Sequence, residues 1–356
     1  MAGIYIHVPF CRTKCAYCDF YSVDFRGDEL LYLHRIAKEL SHRKGFLPTQ
    51  PVESIYFGGG TPSLITPRGL ASTISAIRNV YDVSSDAEIT LEANPDDLTE
   101  GYLVASLEIG INRLSIGIQS FCDGDLEFLG RRHTAKQGYD AVRFALKAGF
   151  DNIGIDLMYG LPSSSLEQWR QNLSEALSMP IQHLSCYHLT YEEGTPLAAM
   201  SMQKRVVQVD EERSADEYKL LCQMVADSGF EQYEVSNFAR VGFHSQHNTA
   251  YWKQVPYLGL GPSAHSYNGA LRQWNPPSVE LWGNAIDRGM EIAETEELSI
   301  KDKLNEYLMA SLRTRWGIDM GYIQCEYGIE SATRIERVAK RYLATGVMRR
   351  DGYRLS

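Results

Sequence analysis

The feature that most constrains the fold is the alternation of short β-like runs with amphipathic helical stretches along the first 200 residues. Helical patterns over residues 30–40, 67–80, 135–148 and 166–177 separate these runs. Repeats of this kind predict parallel strands joined by crossover helices. Six repeats predict an α/β protein with an incomplete (β/α)6 TIM-like barrel, whose functional side chains should lie at the C-terminal ends of the strands. The predicted strands are residues 3–8, 54–57, 88–92, 113–118, 152–157 and 183–187.

The alternation fades after the partial barrel, which we place at residues 1–200. Residues 201–298 contain a predicted helix followed by a glycine- and aromatic-rich stretch, and we expect them to extend the barrel. Residues 299–356 combine two helical patterns with a final hairpin-like segment. This order predicts a small winged-helix-like module at the C-terminal end.

Charge and cysteine content limit the classes of function. The chain has 356 residues and a net charge of −10, so no global attraction to nucleic acid is expected. No apolar run is long enough to predict a membrane span, which leaves only peripheral association open. No export signal precedes the cysteines, three of which crowd into eight positions. We therefore expect a cytoplasmic protein whose cysteines bind metal and form no disulfides.

The three crowded cysteines, Cys11, Cys15 and Cys18, form a CxxxCxxC loop directly after the first predicted strand. Thiolates are the usual ligands of a [4Fe-4S] cluster, which needs four ligands. Three cysteines leave one iron open, and an open metal position can chelate the amino and carboxylate groups of a small molecule. The alternative is a zinc site with three cysteines and His7 as the fourth ligand.

Glycines and polar side chains follow the next strands of the predicted barrel. A glycine triplet after the second strand lets the backbone approach a ligand closely. Carboxylates close the third and fifth strands, and a carboxylate can accept two hydroxyl hydrogen bonds from a ribose diol. Each feature alone could be an ordinary turn, helix cap or salt bridge, but together they converge on one edge of the sheet. The residues concerned are Gly58, Gly59, Gly60, Thr61, Glu92, Gln119, Arg131 and Asp156, with Arg132 as an alternative arginine.

These motifs resemble the radical SAM family that contains oxygen-independent coproporphyrinogen III oxidase (HemN) and the haem chaperone HemW. The shared pattern is YxHxPFC, CxxxCxxC, GGGTP, ExNP, GxQSF and DLxYGLP, all present in this order up to about residue 275. The resemblance implies a [4Fe-4S] cluster and S-adenosylmethionine (SAM) as cofactors. It assigns the SAM site to Tyr5, Gly59, Glu92, Gln119, Arg131 and Asp156.

Two departures distinguish the chain from the oxidase branch of this family. The oxidase resembles CxxxCxxCxC, whereas Phe20 occupies the position of the fourth cysteine here. Only ten residues precede Cys11, where the oxidase carries a longer segment. The resemblance therefore favours a chaperone that binds haem and delivers it to apo-haem proteins. The alternative is radical decarboxylation of coproporphyrinogen III propionates to vinyl groups.

A second motif, HNxxYW, is associated with the chaperone branch and supplies candidate haem contacts. It comprises His247, Tyr251 and Trp252, and His265 follows shortly after it. Imidazole is a common axial ligand of haem, and aromatic faces pack on a porphyrin. The simpler interpretation of these residues is an aromatic-rich buried loop with a hydrogen-bonded histidine. The expected partners are haem or a porphyrin, an apo-haem acceptor protein, and an electron donor such as a flavodoxin or ferredoxin.

Overall fold

The computed structural model describes residues 1–24, 28–48, 50–291 and 293–356. The first part of the chain alternates strands and helices, as the sequence predicts. Its elements are β1 (Ala2–Val8), β2 (Phe10–Cys11), β3 (Val23–Asp24), α1 (Glu29–His42), β4 (Val52–Gly59), α2 (Pro67–Val80), β5 (Val83–Ala93), α3 (Glu100–Glu108), β6 (Arg113–Gln119), α4 (Asp123–Leu129), α5 (Ala135–Ala148), β7 (Ile153–Tyr159), α6 (Leu166–Ser178), β8 (His183–His188), α7 (Pro196–Met202) and α8 (Glu211–Asp227).

The second part of the chain has shorter strands. Its elements are β9 (Glu231–Gln232), β10 (Asn237–Ala239), α9 (Gln246–Trp252), β11 (Tyr257–Leu260), β12 (His265–Tyr267), β13 (Leu271–Trp274), α10 (Val279–Arg288), β14 (Glu294–Glu297), α11 (Ile300–Leu312), β15 (Ile318–Asp319), α12 (Met320–Ala344), β16 (Arg350–Asp351) and β17 (Arg354–Leu355).

The centre of the molecule is a twelve-stranded sheet in the order β14-β13-β12-β11-β1-β4-β5-β6-β7-β8-β10-β9. The six predicted strands form the parallel core of this sheet, which consists of β1, β4, β5, β6, β7 and β8. Their inward and outward faces are both buried, as in strands covered by helices on one side and packed inside a barrel on the other. The predicted α/β partial barrel is thus confirmed.

The sequence analysis missed the seventh parallel strand. β11 lies beside β1 with Ile4 opposite Leu258, although the two strands are about 250 residues apart in the chain. β12, β13 and β14 then continue the sheet in antiparallel fashion. The glycine- and aromatic-rich stretch of residues 201–298 therefore supplies strands at both edges of the sheet.

Local sequence signals explain where the helices begin and end. Thr134 and Gln137 form a capping box at the start of α5, and Gly149 ends this helix in the left-handed conformation. Thr66 caps α2, and Pro67 occupies its first turn. These caps fix the helices that cross over between the parallel strands.

The C-terminal segment packs around a small apolar core of its own, which includes Ile318, Ile323 and Leu355. Its order is helix, strand, two helical segments joined at Gly328, and a strand pair, with β15, β17 and β16 forming one antiparallel sheet. The first of those two helical segments was not predicted. The winged-helix-like assignment of residues 299–356 and the division at residues 200 and 298 stay predictions. None of the helices described is long and apolar enough to cross a membrane.

Candidate functional site

The cysteine loop lies at the carboxyl edge of the parallel sheet, where β1 ends. The Thr61 hydroxyl donates to Cys11 Sγ at 3.5 Å, and Arg131 Nη1 donates to Cys15 Sγ at 3.5 Å. The Ala16 amide donates to the Leu129 carbonyl, which ties the loop to the end of α4. Two of the three sulfur atoms thus already receive hydrogen bonds from predicted SAM-site residues, a pattern that stabilises thiolates.

Burial, together with the smaller effect of the nearby Cys15 and Cys11 sulfurs, raises the pKa of the Cys18 thiol to about 11. A positively charged metal centre would reverse this effect, because metal binding deprotonates its thiol ligands. The raised pKa of Cys18 is therefore compatible with an iron–sulfur centre, whose positive charge would hold this thiol as a thiolate. Among the residues described, no three His, Cys, Asp or Glu side chains are arranged to hold a single metal ion.

The zinc alternative requires His7 as a ligand, but both ring nitrogens of His7 already have partners. Its Nε2 lies 2.9 Å from the Tyr21 carbonyl, which can only accept, so this nitrogen carries the proton. Its Nδ1 then accepts from the Tyr5 hydroxyl at 3.2 Å. His7 orients the start of the cysteine loop and has no free lone pair for a metal ion.

The glycine triplet brings the end of β4 against the cysteine loop. A Cβ atom on Gly60 would lie 2.7 Å from the Phe10 carbonyl oxygen, and the Gly60 amide donates to the Val8 carbonyl at 2.8 Å. Gly59 has a φ of +107°, which side chains rarely tolerate. Gly58 packs against the rings of Tyr5 and Tyr56, and larger residues would displace them.

Glu92 lies next to the last residue of β5, whereas Asp156, predicted to close its strand, lies in the middle of β7, and both carboxylates are half-buried. Glu92 accepts from the Tyr56 hydroxyl at 2.6 Å and from the Gly59 amide at 3.3 Å. Burial nevertheless raises its pKa to about 7. Asp156 accepts from the Ser115 hydroxyl at 3.3 Å, and burial likewise raises its pKa. A ribose diol that donated to either group would favour the ionised form.

The structure distinguishes the two adjacent arginines. Arg131 donates to the Asn94 side-chain oxygen and to the Gly117 carbonyl, both at 2.6 Å, whereas Arg132 forms ion pairs with Asp96 and Asp97. Arg131 Nε has no hydrogen-bond partner in the described part of the chain. Arg131 is therefore the arginine that faces the predicted SAM site.

Six of the nine predicted SAM residues line a cleft of about 100 Å³, whereas Tyr5, Gly58 and Gly59 are not among its lining residues. Gln119, whose φ is +68°, closes one side of it. Asn94, Ser115 and Gly117 also belong to this cleft and were missed. Ser115 lies directly opposite Glu92 across the parallel pair of β5 and β6, a register that no sequence motif records. The lining residues are Gly60, Thr61, Pro62, Glu92, Ala93, Asn94, Ser115, Gly117, Gln119, Arg131 and Asp156.

A second cavity, of about 750 Å³, adjoins the cleft. Glu92, Ser115 and Asp156 line both, so they form a shared wall. Tyr5 and Phe20 both line the large cavity. The remaining walls come largely from β10 to α11 and carry all four predicted haem residues, namely His247, Tyr251, Trp252 and His265.

The first of these, His247, is buried and held on both sides. Its Nδ1 lies 2.8 Å from the Ser54 hydroxyl and its Nε2 lies 3.0 Å from the Tyr251 hydroxyl. The ring stacks on Tyr56 at a centroid distance of 5.0 Å. Burial lowers its pKa to about 3, so the imidazole is neutral. Its backbone amide donates to the buried Glu88 carboxylate at 3.1 Å, which anchors α9 to β5.

Three polar atoms along the large cavity lack a hydrogen-bond partner among the residues described. They are Arg113 Nε, His183 Nδ1 and Trp252 Nε1. Buried polar groups are normally paired, so unpaired groups beside a cavity are typical of a site that a ligand completes. His265 lies at the start of β12, exposed, with its ring stacked on Trp274 at 6.1 Å.

The fold and this cysteine- and glycine-lined site are those of a radical SAM protein. The sequence profile described as "Radical SAM superfamily" matches residues 5–176. The "Heme chaperone HemW" of Bacillus subtilis is 34% identical over 331 residues, which are 92% of this chain and 87% of that protein. The HemW of Lactococcus lactis is 34% identical, covering 88% of this chain and 82% of that protein. The chain belongs to the HemN/HemW family of coproporphyrinogen III oxidase-like radical SAM proteins, as its motifs predicted.

Two further comparisons extend this result. A mitochondrial "Radical S-adenosyl methionine domain-containing protein 1" from Mus musculus is 41% identical over 268 residues, covering 74% of this chain and 60% of that protein. The solved structure of coproporphyrinogen III oxidase (HemN) from Escherichia coli superimposes with a TM-score of 0.85 at 20% identity, covering 100% of this chain and 86% of that chain. At this identity the superposition establishes the fold.

Proposed function

We propose that the protein is a haem chaperone that holds a [4Fe-4S] cluster and SAM at the cleft and haem in the adjoining large cavity. The observation that carries the proposal is the pair of adjoining sites: a cleft lined by radical SAM motifs, and a much larger aromatic cavity with unpaired donors beside it. The similarity to proteins named as haem chaperones over most of the chain supports it.

In this proposal Cys11, Cys15 and Cys18 hold the iron–sulfur cluster. When bound, such a cluster would supply the single electrons that reduce the SAM sulfonium. Arg131 and Thr61 donate to the ligand sulfurs and so orient the thiolates. Glu92 and Asp156 offer acceptors for the ribose hydroxyl groups, and Arg131 offers a positive charge for the SAM carboxylate.

Haem fits the large cavity chemically as well as in size. Its apolar ring matches the aromatic walls, which include Tyr187, Tyr251 and Tyr267. Its two carboxylates require donors, and Arg113 and Trp252 line the cavity, each with an N–H that has no hydrogen-bond partner among the residues described. Arg113 Nε also lies 3.8 Å from the Glu88 carboxylate. Phe20 places an aromatic ring at this cavity, at the position where the oxidase branch carries a cysteine. This difference favours cargo binding over decarboxylation.

The proposed partners follow from this chemistry. A chaperone must release haem to an apo-haem protein, and the cluster requires a one-electron donor such as a flavodoxin or ferredoxin. We place the protein in the cytoplasm, where its thiols stay reduced.

The test is an anaerobic incubation of reconstituted protein with SAM, a reductant and coproporphyrinogen III, combined with a haem titration of the same preparation. We expect near-stoichiometric haem binding and no vinyl product in the porphyrin analysis. Formation of protoporphyrinogen IX would establish the oxidase activity instead. Failure to bind haem, with the iron–sulfur cluster intact, would reject the chaperone proposal.

A further inference from the structure

We propose that His265, and not the motif histidine His247, is the side chain that ligates the haem iron. This inference rests on the proposed function and identifies the iron ligand within the same cavity. An axial imidazole must offer a ring nitrogen with a free lone pair that can reach the bound haem. Four histidines line the large cavity, so the hydrogen bonds of each ring decide which of them qualifies.

Three of these histidines have no ring nitrogen to offer. His7 and His247 each use both nitrogens in hydrogen bonds. His183 binds the Tyr233 hydroxyl through Nε2 at 2.8 Å. Its Nδ1 points at β7, where a Cβ atom built on Gly154 would lie only 3.3 Å away. A haem iron cannot approach His183 from the cavity without displacing this strand.

His265 differs from these three histidines in its exposure and in the hydrogen bonding of its ring. It is exposed, and neither of its ring nitrogens has a hydrogen-bond partner within the described ranges. Its ring is oriented by stacking on Trp274, which lies opposite it on β13. Partial burial and the nearby Arg272 lower its pKa, which keeps the imidazole neutral and able to bind metal.

The position of His265 also suits a protein that must release its haem. A buried histidine would have to lose its whole hydrogen-bonded environment before a second protein could take over the iron. A histidine at the mouth of the cavity can be replaced by a ligand of the acceptor without opening the core. Met309 and Tyr187 are the other exposed residues at this cavity whose side-chain types bind haem iron in proteins, so they are the competing candidates.

The experiment is an anaerobic titration of the reconstituted full chain with ferric haem, followed by absorption and electron paramagnetic resonance spectra. We compare the wild type with His265→Ala, His247→Gln and Met309→Leu, and use His34→Ala on the exposed face of α1 as the matched control. We expect His265→Ala to weaken haem binding at least tenfold and to change the spin state. Added imidazole should restore the wild-type spectrum. His247→Gln, Met309→Leu and His34→Ala should keep that spectrum.

A wild-type spectrum and affinity in His265→Ala would overturn the inference, as would loss of the iron ligand in His247→Gln or Met309→Leu with a native circular dichroism spectrum. These results leave the haem chaperone proposal intact, because the wild type still binds haem. Absence of haem binding by the wild type itself would instead reject the proposed function.

Discussion

The cleft and the large cavity share a wall but are built in different ways. Every lining residue of the cleft lies between Gly60 and Asp156 in the chain, and apart from Arg131 these residues belong to the parallel strands β5, β6 and β7 or to the segments that directly follow β4 and β5. Most of the walls of the large cavity come from β10 to α11, whose strands join the edges of the sheet. The repeating topology therefore fixes the cleft, whereas the cavity depends on strands added outside the repeat.

The two sites also differ in how their polar groups are satisfied. In the cleft, Glu92 and Arg131 are each held by two or more hydrogen bonds, and within the described ranges Arg131 Nε alone of their polar atoms has no partner. Along the cavity, Arg113 Nε and Trp252 Nε1 have no hydrogen-bond partner among the residues described. The difference suggests a preorganised cofactor site beside a site whose polar groups await a ligand, and it leads to three predictions.

The largest expected effect is loss of the iron–sulfur cluster. Cys11→Ala removes one of the three predicted ligands, so iron content and SAM binding should fall close to zero after reconstitution. Haem affinity should stay within about twofold, because Cys11 does not line the large cavity. Iron analysis and haem titration of the same samples measure both effects. Cys325→Ala, an exposed cysteine in α12, is the control and should keep its iron. Loss of haem binding in Cys11→Ala would show that the two sites are not independent.

An intermediate effect concerns Glu92 in the shared wall, whose pKa rises from 4.5 to about 7 on folding. Between these values the native state binds more protons than the unfolded state, so Glu92 makes the protein less stable as the pH rises. For the apo-protein this loss should be on the order of 2 kcal/mol between pH 5 and pH 8.

Glu92→Gln should remove most of that loss, which urea unfolding at the two pH values measures. Glu297→Gln, a change on the exposed β14, is the control and should leave the pH dependence unaltered. If Glu92→Gln loses as much stability between pH 5 and pH 8 as the wild type, the carboxyl group of Glu92 ionises as readily in the folded protein as in the unfolded chain.

The smallest expected effect concerns the support of the motif histidine. Tyr251→Phe removes the hydroxyl that binds His247 Nε2 and should lower the free energy of unfolding by about 1 kcal/mol. Chemical denaturation measures this change, and Tyr353→Phe, at a 79% exposed position, should have no effect. If Tyr251→Phe is as stable as the wild type, His247 is held less firmly than its two hydrogen bonds indicate.

The cleft was predictable from the sequence because its residues follow a repeating rule. Once six strand–helix units were recognised, Gly60, Glu92, Gln119 and Asp156 had to lie at one edge of the sheet. The family resemblance favoured Arg131 over Arg132, but the strand and helix pattern alone could not separate them, since adjacent residues differ in the direction of their side chains. The contributions of Asn94 and Ser115 depended on registers that no motif recorded.

The cavity was much less predictable. β11 pairs with β1 across about 250 residues, and no local pattern encodes so distant a partner. His247, Tyr251 and Trp252 of the HNxxYW motif all line one cavity, and their contact with haem stays a prediction. It could not indicate that both nitrogens of His247 are engaged, because Ser54 lies far away in sequence.

The sequence by itself determined the class of protein, the cysteine loop and the edge of the sheet that carries the cleft, because periodic patterns and short motifs act through neighbouring residues. The tertiary structure alone decided which polar groups are satisfied and which remain open to a ligand. Hydrogen bonds between distant segments, such as those of His7 with Tyr21 and of His247 with Ser54, settle that question. They form only when the whole chain has packed, and they leave His265 as the histidine that faces the cavity with its ring nitrogens free in the described structure.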